Sequence, residues 1–177
     1  MAVFDSAGPL GRDLAYLLMR NAPVRLFWRR AVLEEAVLWL GEHGYQLVRM
    51  DASGWLTEDD MHDAFAAALD FPDYYGRNLD ALNDCLRDVD VFAYGATPGT
   101  TGLVLVFAGY DAFTRRCPRA AQIVLDIVAD HSRMAMLLGH RILALVQTDD
   151  PGLRFEPVGA TTVAWNDAEW LDSSRRA

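Results

Sequence analysis

Apolar, strand-like runs alternate along this chain with segments of helical periodicity, and that alternation predicts an α/β domain with a mostly parallel sheet and right-handed crossovers. Two of the runs, residues 101–108 (TGLVLVFA) and 141–147 (RILALVQ), are nearly continuous in apolar character, as strands buried on both faces of a parallel sheet are. The 177 residues, 52% apolar and 11% aromatic, suffice for one packed core and exclude intrinsic disorder.

In chain order, residues 12–20 (RDLAYLLMR) form a short apolar helix candidate closed by Asn21 and Pro23. Residues 24–28 (VRLFW) alternate as a strand does. Residues 30–43 carry helical spacing at Val32, Ala36 and Leu40, with Gly44 as the stop. Residues 45–50 (YQLVRM) are the next strand. Thr57 opens a helix through a capping pattern in which Asp60 stands in for the usual Glu, and Met61, Phe65 and Leu69 extend its apolar stripe. Phe71-Pro72 ends that helix and opens a loop. Asn78 caps a helix over residues 79–88, and residues 118–131 form another. Residues 161–165 (TTVAW) read as a late strand, followed by a short helix with Asn166 and Glu169 as its capping box. The strands centred near residues 48, 105 and 144 are expected in the middle of the sheet.

Charge is distributed unevenly. Between Asp51 and Asp90 lie 11 of the 25 acidic residues against only Arg77 and Arg87, so this stretch carries the whole net charge of −9. Concentrated negative charge argues against direct nucleic-acid binding, which needs clustered Lys and Arg, and points to a cationic partner. Lysine is absent and all 16 basic side chains are Arg, which reads as coding bias rather than function. The first residues (MAVFDSAGPLGRD) lack the apolar core of a secretory signal, and no apolar stretch is long enough to span a bilayer. Cys85 and Cys117 do not make a disulfide framework, so a cytoplasmic protein with reduced thiols is expected. The four histidines show no metal-ligand spacing, and there is neither a Gly-rich phosphate loop nor a nucleophile elbow. No cofactor, metal or catalytic activity is expected.

On a helical wheel of residues 79–90, Leu82, Cys85, Leu86 and Val89 share one sector while Asp80, Asp84 and Asp88 share the opposite one. Three aspartates at i, i+4 and i+8 repel one another, which is costly for a merely solvated face. The preceding Tyr74-Tyr75-Gly76 sets two amphipathic rings beside these acids, a composition common at interface hot spots, with Gly76 permitting an unusual turn. Tyr75 is expected to face the core and Tyr74 the solvent.

Residues 72–86 (PDYYGRNLDALNDCL) resemble, almost position by position, the central loop and second helix of the barstar family of intracellular ribonuclease inhibitors. A weaker likeness runs over residues 45–147, including Tyr110-Asp111-Ala112-Phe113 after the apolar strand. The resemblance implies a small parallel sheet of about three core strands packed by helices. It divides the chain into a barstar-like domain (45–149), an N-terminal βα extension on the same core (1–44) and a C-terminal strand-helix extension (150–177). It further implies a protein that plugs the basic active site of a guanyl-preferring microbial ribonuclease such as barnase. In that role Tyr74 covers the mouth of the nuclease site, Gly76 and Asn78 offer backbone and amide contacts, and Asp80 and Asp84 are the anionic anchors. Asp84 takes the place of an RNA phosphate among the nuclease's Arg, Lys and His groups. Fast, salt-sensitive association is likewise implied, the barnase–barstar pair being the reference case of steered binding.

The chain departs from the family at Asn83, where members often carry Trp beside the Asp84 position. Asp88 and, on the helix before the last core strand, Asp130 (or Asp126) are looser matches to the remaining acidic contacts, and residues 93–102 are longer than in small members. The expected partner is a small basic ribonuclease or nuclease toxin; the oligomeric state is not readable. The competing readings are a barstar-fold adaptor or ligand-binding regulator without ribonuclease inhibition, and an immunity protein for an unrelated nuclease toxin.

Overall fold

The computed structural model describes residues 14–19 and 22–176. Its strands are β1 (Val24–Phe27), β2 (Tyr45–Asp51), β3 (Gly102–Ala108), β4 (Ile142–Gln147) and β5 (Ala164–Trp165). Its helices are α1 (Leu14–Met19), α2 (Arg30–Glu42), α3 (Glu58–Ala68), α4 (Leu79–Asp90), α5 (Tyr110–Arg116), α6 (Pro118–Leu137) and α7 (Ser173–Arg176). The strands form one sheet in the order β2-β3-β4-β1-β5, and every adjacent pair is parallel. No helix among the described residues is long and apolar enough to cross a membrane.

Successive side chains of a strand point to opposite faces, so the doubly buried strands feed two cores. Leu103, Leu105 and Phe107 of β3 and Ile142, Ala144 and Val146 of β4 join the side chains of α3, α4 and α6 on one face. Val104, Val106, Leu143 and Leu145 join those of α1 and α2 on the other. The result is an α/β/α layering in which the near-continuous apolar runs are explained by burial on both sides.

The order of strands corrects one expectation. Strands β3 and β4 are interior, but β2 is an edge strand whose burial alternates with exposure, and β1 occupies the interior place beyond β4. All four residues of β1 are buried because β4 and β5 flank it. That includes Arg25, whose guanidinium donates to the carbonyls of Leu17 and Leu18 in the last turn of α1 and to that of Trp165. These are carbonyls a short helix cannot satisfy for itself. Within the expected helix of residues 12–20, the segment Leu14–Met19 is helical; Arg12, Asp13, Arg20 and Asn21 lie outside the described residues.

Caps fall largely where composition put them. Thr57 and Asp60 form the reciprocal capping box of α3, and Pro118 opens α6 at a position where its missing N–H costs nothing. Helix α6 runs six residues past His131, to Leu137. Exposed Met134 and Leu137 blur the apolar stripe there, while Ala135 stays fully buried.

The C-terminal segment differs more. Only Ala164 and Trp165 join the sheet, whereas Thr161 pairs with Val158 in an isolated bridge. No helix starts at Asn166, although its Oδ1 accepts from Ala168 N at 3.1 Å; the next helix among the described residues is α7. Instead Glu169 is fully buried and its carboxylate accepts from the backbone N–H groups of Trp28 and Arg29, from Arg29 Nε and from Asn166 Nδ2. It thereby holds the backbone just ahead of α2, where the N-cap residue Arg29 itself makes no side-chain cap bond. A carboxylate suits that end of the helix dipole.

Candidate protein-binding site

The loop between α3 and α4 is held from beneath by its aromatic residues. Tyr75 is buried and its hydroxyl meets His62 Nδ1 at 2.5 Å, while its ring packs edge-on against Phe71 with centroids 4.9 Å apart. Burial pushes the Tyr75 hydroxyl well above its ordinary value and the His62 imidazole below its own. Tyr74 then has nowhere to go but outward and is 76% exposed. The left-handed residue of this turn is Arg77, at φ 50°, and not Gly76, which keeps an ordinary φ. Gly76 matters instead through close approach: a Cβ there would lie 3.2 Å from Asn78 Nδ2 and 3.4 Å from Ala81 Cβ. Arg77 ties the turn back to α3 through Asp63 at 2.5 Å and, more loosely, Asp59 at 3.9 Å.

Asn78 starts α4 as expected, its side-chain oxygen accepting from Ala81 N at 2.9 Å and its Nδ2 donating to Gly76 O at 3.2 Å. Replacing it with alanine is expected to cost about 1 kcal/mol of stability. For a chain of this size that is a melting-temperature drop of roughly 2–4 °C, checked by a thermal melt.

From that cap the helix delivers its side chains with a 3.6-residue period. Leu82, Cys85, Leu86 and Val89 are buried, and Asp80 and Asp84 are exposed one turn apart on the opposite side. Among the described residues Asp84 pairs only with Arg87, at 3.2 Å, in a bridge two-thirds exposed at both ends. Asp88 differs from the other two. It is half-buried and accepts from the Tyr94 hydroxyl at 3.2 Å, which also donates to Cys85 O. Burial first, and those neighbours second, push the Tyr94 hydroxyl far up, so it stays a donor. The exposed acidic pair is therefore Asp80 and Asp84, with Asp88 set back behind them.

Asn83 is also tied. It lies on the flank of α4 against α6, half-buried, with Oδ1 3.1 Å from His131 Nε2. Asp130, beside His131 on α6, is exposed and bound to Arg133, which also reaches Gly159 O. Asp126 accepts from Gly159 N at 2.6 Å and so serves the C-terminal segment. Between α3 and α4 a groove of about 380 Å³ runs beside Asp80, with Glu58 and Asp59 on one wall and Arg119 and Ile123 of α6 on the other. Among the described residues no group of three His, Cys, Asp or Glu side chains has the geometry to hold a metal ion.

Sequence reasoning missed the polar supports: Tyr94 behind Asp88, and the buried Asp90–His131 pair behind Asn83. The signal for the second was an aspartate on the apolar side of α4, one residue beyond Val89, and a histidine within the apolar stripe of α6.

A family model described as Barstar (barnase inhibitor) matches residues 45–147, more than half of the chain. A protein of Bacillus subtilis (strain 168) named "Putative ribonuclease inhibitor YrdF" is 73% identical over 26 residues. That match spans 15% of this chain and 29% of the length of the Bacillus protein.

Proposed function

This chain belongs to the barstar family, and on that premise we propose that it is a cytoplasmic, non-enzymatic inhibitor of a small basic ribonuclease, binding through the outer face of α4 and the loop before it. The observation that carries this reading is the exposed pair Asp80 and Asp84, one helical turn apart, beside a Tyr74 that is 76% exposed.

The chemistry follows from the geometry. A ribonuclease active site gathers Arg, Lys and His side chains around an RNA phosphate, and a carboxylate on a rigid helix can occupy that position. It accepts charge-assisted, often bidentate, bonds from guanidinium groups. Asp84 is the residue proposed to enter the phosphate pocket, with Asp80 a turn away at its edge. The Tyr74 ring, fixed by the inward anchoring of Tyr75, is proposed to lie across the mouth of the cleft and exclude water, as aromatic hot-spot residues do. Gly76 and Asn78 line the same edge. Asn83, Asp88 and Asp130 form its flank, each already held by a neighbour within the fold.

The experiment is an inhibition titration against barnase as a representative guanyl-preferring ribonuclease, at low and at high salt. Stoichiometric inhibition that weakens as salt rises supports the reading, since exposed charges are screened within about 10 Å at 0.1 M ionic strength. Tyr74→Ala is expected to weaken inhibition by about tenfold, the loss of one aromatic contact. Full nuclease activity in the presence of excess inhibitor, with barnase and with several other small basic ribonucleases, would sink the proposal in favour of an adaptor role.

A further inference from the structure

Behind the acidic face lies a polar chain that the reading above does not use. Asp90, at the C-terminal end of α4, and His131, in the middle of α6, are both buried, and Asp90 Oδ2 meets His131 Nδ1 at 2.5 Å. The other ring nitrogen, Nε2, faces Asn83 Oδ1 at 3.1 Å. Asn83 precedes Asp84 in sequence, and its Nδ2 has no hydrogen-bond partner among the described residues.

We propose that His131 is a positioning residue for the binding face, the presence or absence of a proton on its Nε2 deciding which end of the Asn83 carboxamide points outward beside Asp84. The inference rests on the outer face of α4 being the binding face.

The hydrogen-bond bookkeeping leaves two arrangements. Ionised Asp90 accepts only, so Nδ1 carries a hydrogen and donates to it. If Nε2 is also protonated, it donates to Asn83 Oδ1, as the atoms stand here, and the amide NH2 faces out. If Nε2 is bare, it accepts, and the carboxamide turns over so that Nδ2 donates inward and the carbonyl faces out. A half-turn about the terminal Asn torsion is soft. Both arrangements are fully bonded toward His131, so the proton chooses between them. Besides Asp90, the charged or titratable groups nearby are His140, whose ring feels the Asp90 charge from the loop before β4, and the exposed Asp130 and Arg133 on α6 itself.

The consequence for binding has a sign. A basic ribonuclease presents mainly donors, so the carbonyl-out arrangement fits it better than the NH2-out one. Affinity is therefore expected to be higher with Nε2 bare than with Nε2 protonated, by up to about tenfold for one exchanged hydrogen bond.

The test has two readouts. In the free protein, nitrogen and proton NMR of the His131 ring and the Asn83 carboxamide is followed as the pH is varied. The Asn83 resonances are expected to move with the midpoint of His131, and Asn83 signals that do not follow it overturn the proposal whether or not any nuclease binds. In the second readout, the pH profile of barnase affinity is compared for the parent and His131→Gln, whose amide can still reach Asp90 and Asn83 but does not titrate. The nuclease's own histidines contribute equally to both profiles, so the difference isolates His131. His131→Gln is expected to hold the parent's affinity to within about threefold with a flatter profile. Identical profiles would overturn the positioning role even if the resonances co-titrate. A parent that fails to bind any ribonuclease would refute the functional reading alone, leaving the NMR result to decide the hydrogen-bond chain.

Discussion

Replacing Asp84 with alanine is expected to weaken inhibition of a basic guanyl-preferring ribonuclease by between about thirtyfold and several thousandfold. That corresponds to roughly 2–5 kcal/mol, the range for truncating one member of a desolvated charge pair, to which complexes of this family themselves contribute. The magnitude follows from where the carboxylate stands before and after binding. In the free protein Asp84 is exposed and its ion pair with Arg87, at 3.2 Å, is open to solvent at both ends. Such pairs are worth about 0–1 kcal/mol, so little is lost when Asp84 is handed to a partner. In a nuclease pocket lined by cations and closed by Tyr74, the same carboxylate would be desolvated and multiply bonded, and its removal leaves those cations buried without a counter-charge. Stability should change by no more than about 0.5 kcal/mol, because within the fold the side chain makes one solvent-exposed ion pair, with Arg87. Inhibition titrations at constant salt, read beside thermal melts, check both halves. An Asp84→Ala variant that inhibits as well as the parent would refute the proposed site. Arg87→Ala is the informative control, expected to leave inhibition equal or slightly tighter.

Glu169→Ala is expected to do the opposite, costing about 3–5 kcal/mol of stability while sparing inhibition wherever the protein remains folded. The carboxylate is fully buried and accepts from Trp28 N at 2.9 Å, Arg29 N at 2.8 Å and Arg29 Nε at 3.1 Å, and from Asn166 Nδ2. Alanine would leave the N–H groups of Trp28 and Arg29, just ahead of α2, without their acceptor and would take one of two acceptors from the buried Asn166 amide, which keeps Leu26 O, each lost acceptor a desolvation penalty. It would also release the C-terminal segment from the β1–α2 junction. At roughly 2–4 °C per kcal/mol, the melting temperature should fall by about 6–20 °C. Glu169→Gln should fall between, since one amide oxygen can still accept while its NH2 confronts the donors. A loss below about 1 kcal/mol in urea unfolding would show that this buried carboxylate is not holding the two ends of the chain together.

How far the residues announce the structure depends on the range of the interaction. The capping box of Thr57 and Asp60, the Asn78 cap, the inward Tyr75 with its outward Tyr74, and the two-sided amphipathicity of α4 were all legible, because each is settled within about four residues. The reading failed where a distant partner overrode a local pattern. Asn166 and Glu169 carry the spacing of a capping box, yet the Glu169 carboxylate gains more from three donors around residue 29 than from a helix of its own. Gly76 looked like the source of the unusual turn, yet Arg77 takes the left-handed conformation, held by Asp63 across the loop.

The same division holds for function. The sequence by itself determined that an acidic helix face follows a tyrosine-bearing loop, because helical periodicity assigns Asp80, Asp84 and Asp88 to one side without reference to anything else; the likeness to the barstar family rests separately on the motif of residues 72–86. Only the tertiary structure decided which of those acids face solvent and which is set back. Tyr94, arriving from beyond the end of α4, binds Asp88, and His131, arriving from α6, takes hold of Asn83, while Asp80 and Asp84 are left facing solvent. Periodicity fixes the direction in which a side chain leaves its helix. What waits there is supplied by chain outside the helix, six residues on for Tyr94 and 48 for His131, and the helix by itself carries no record of it.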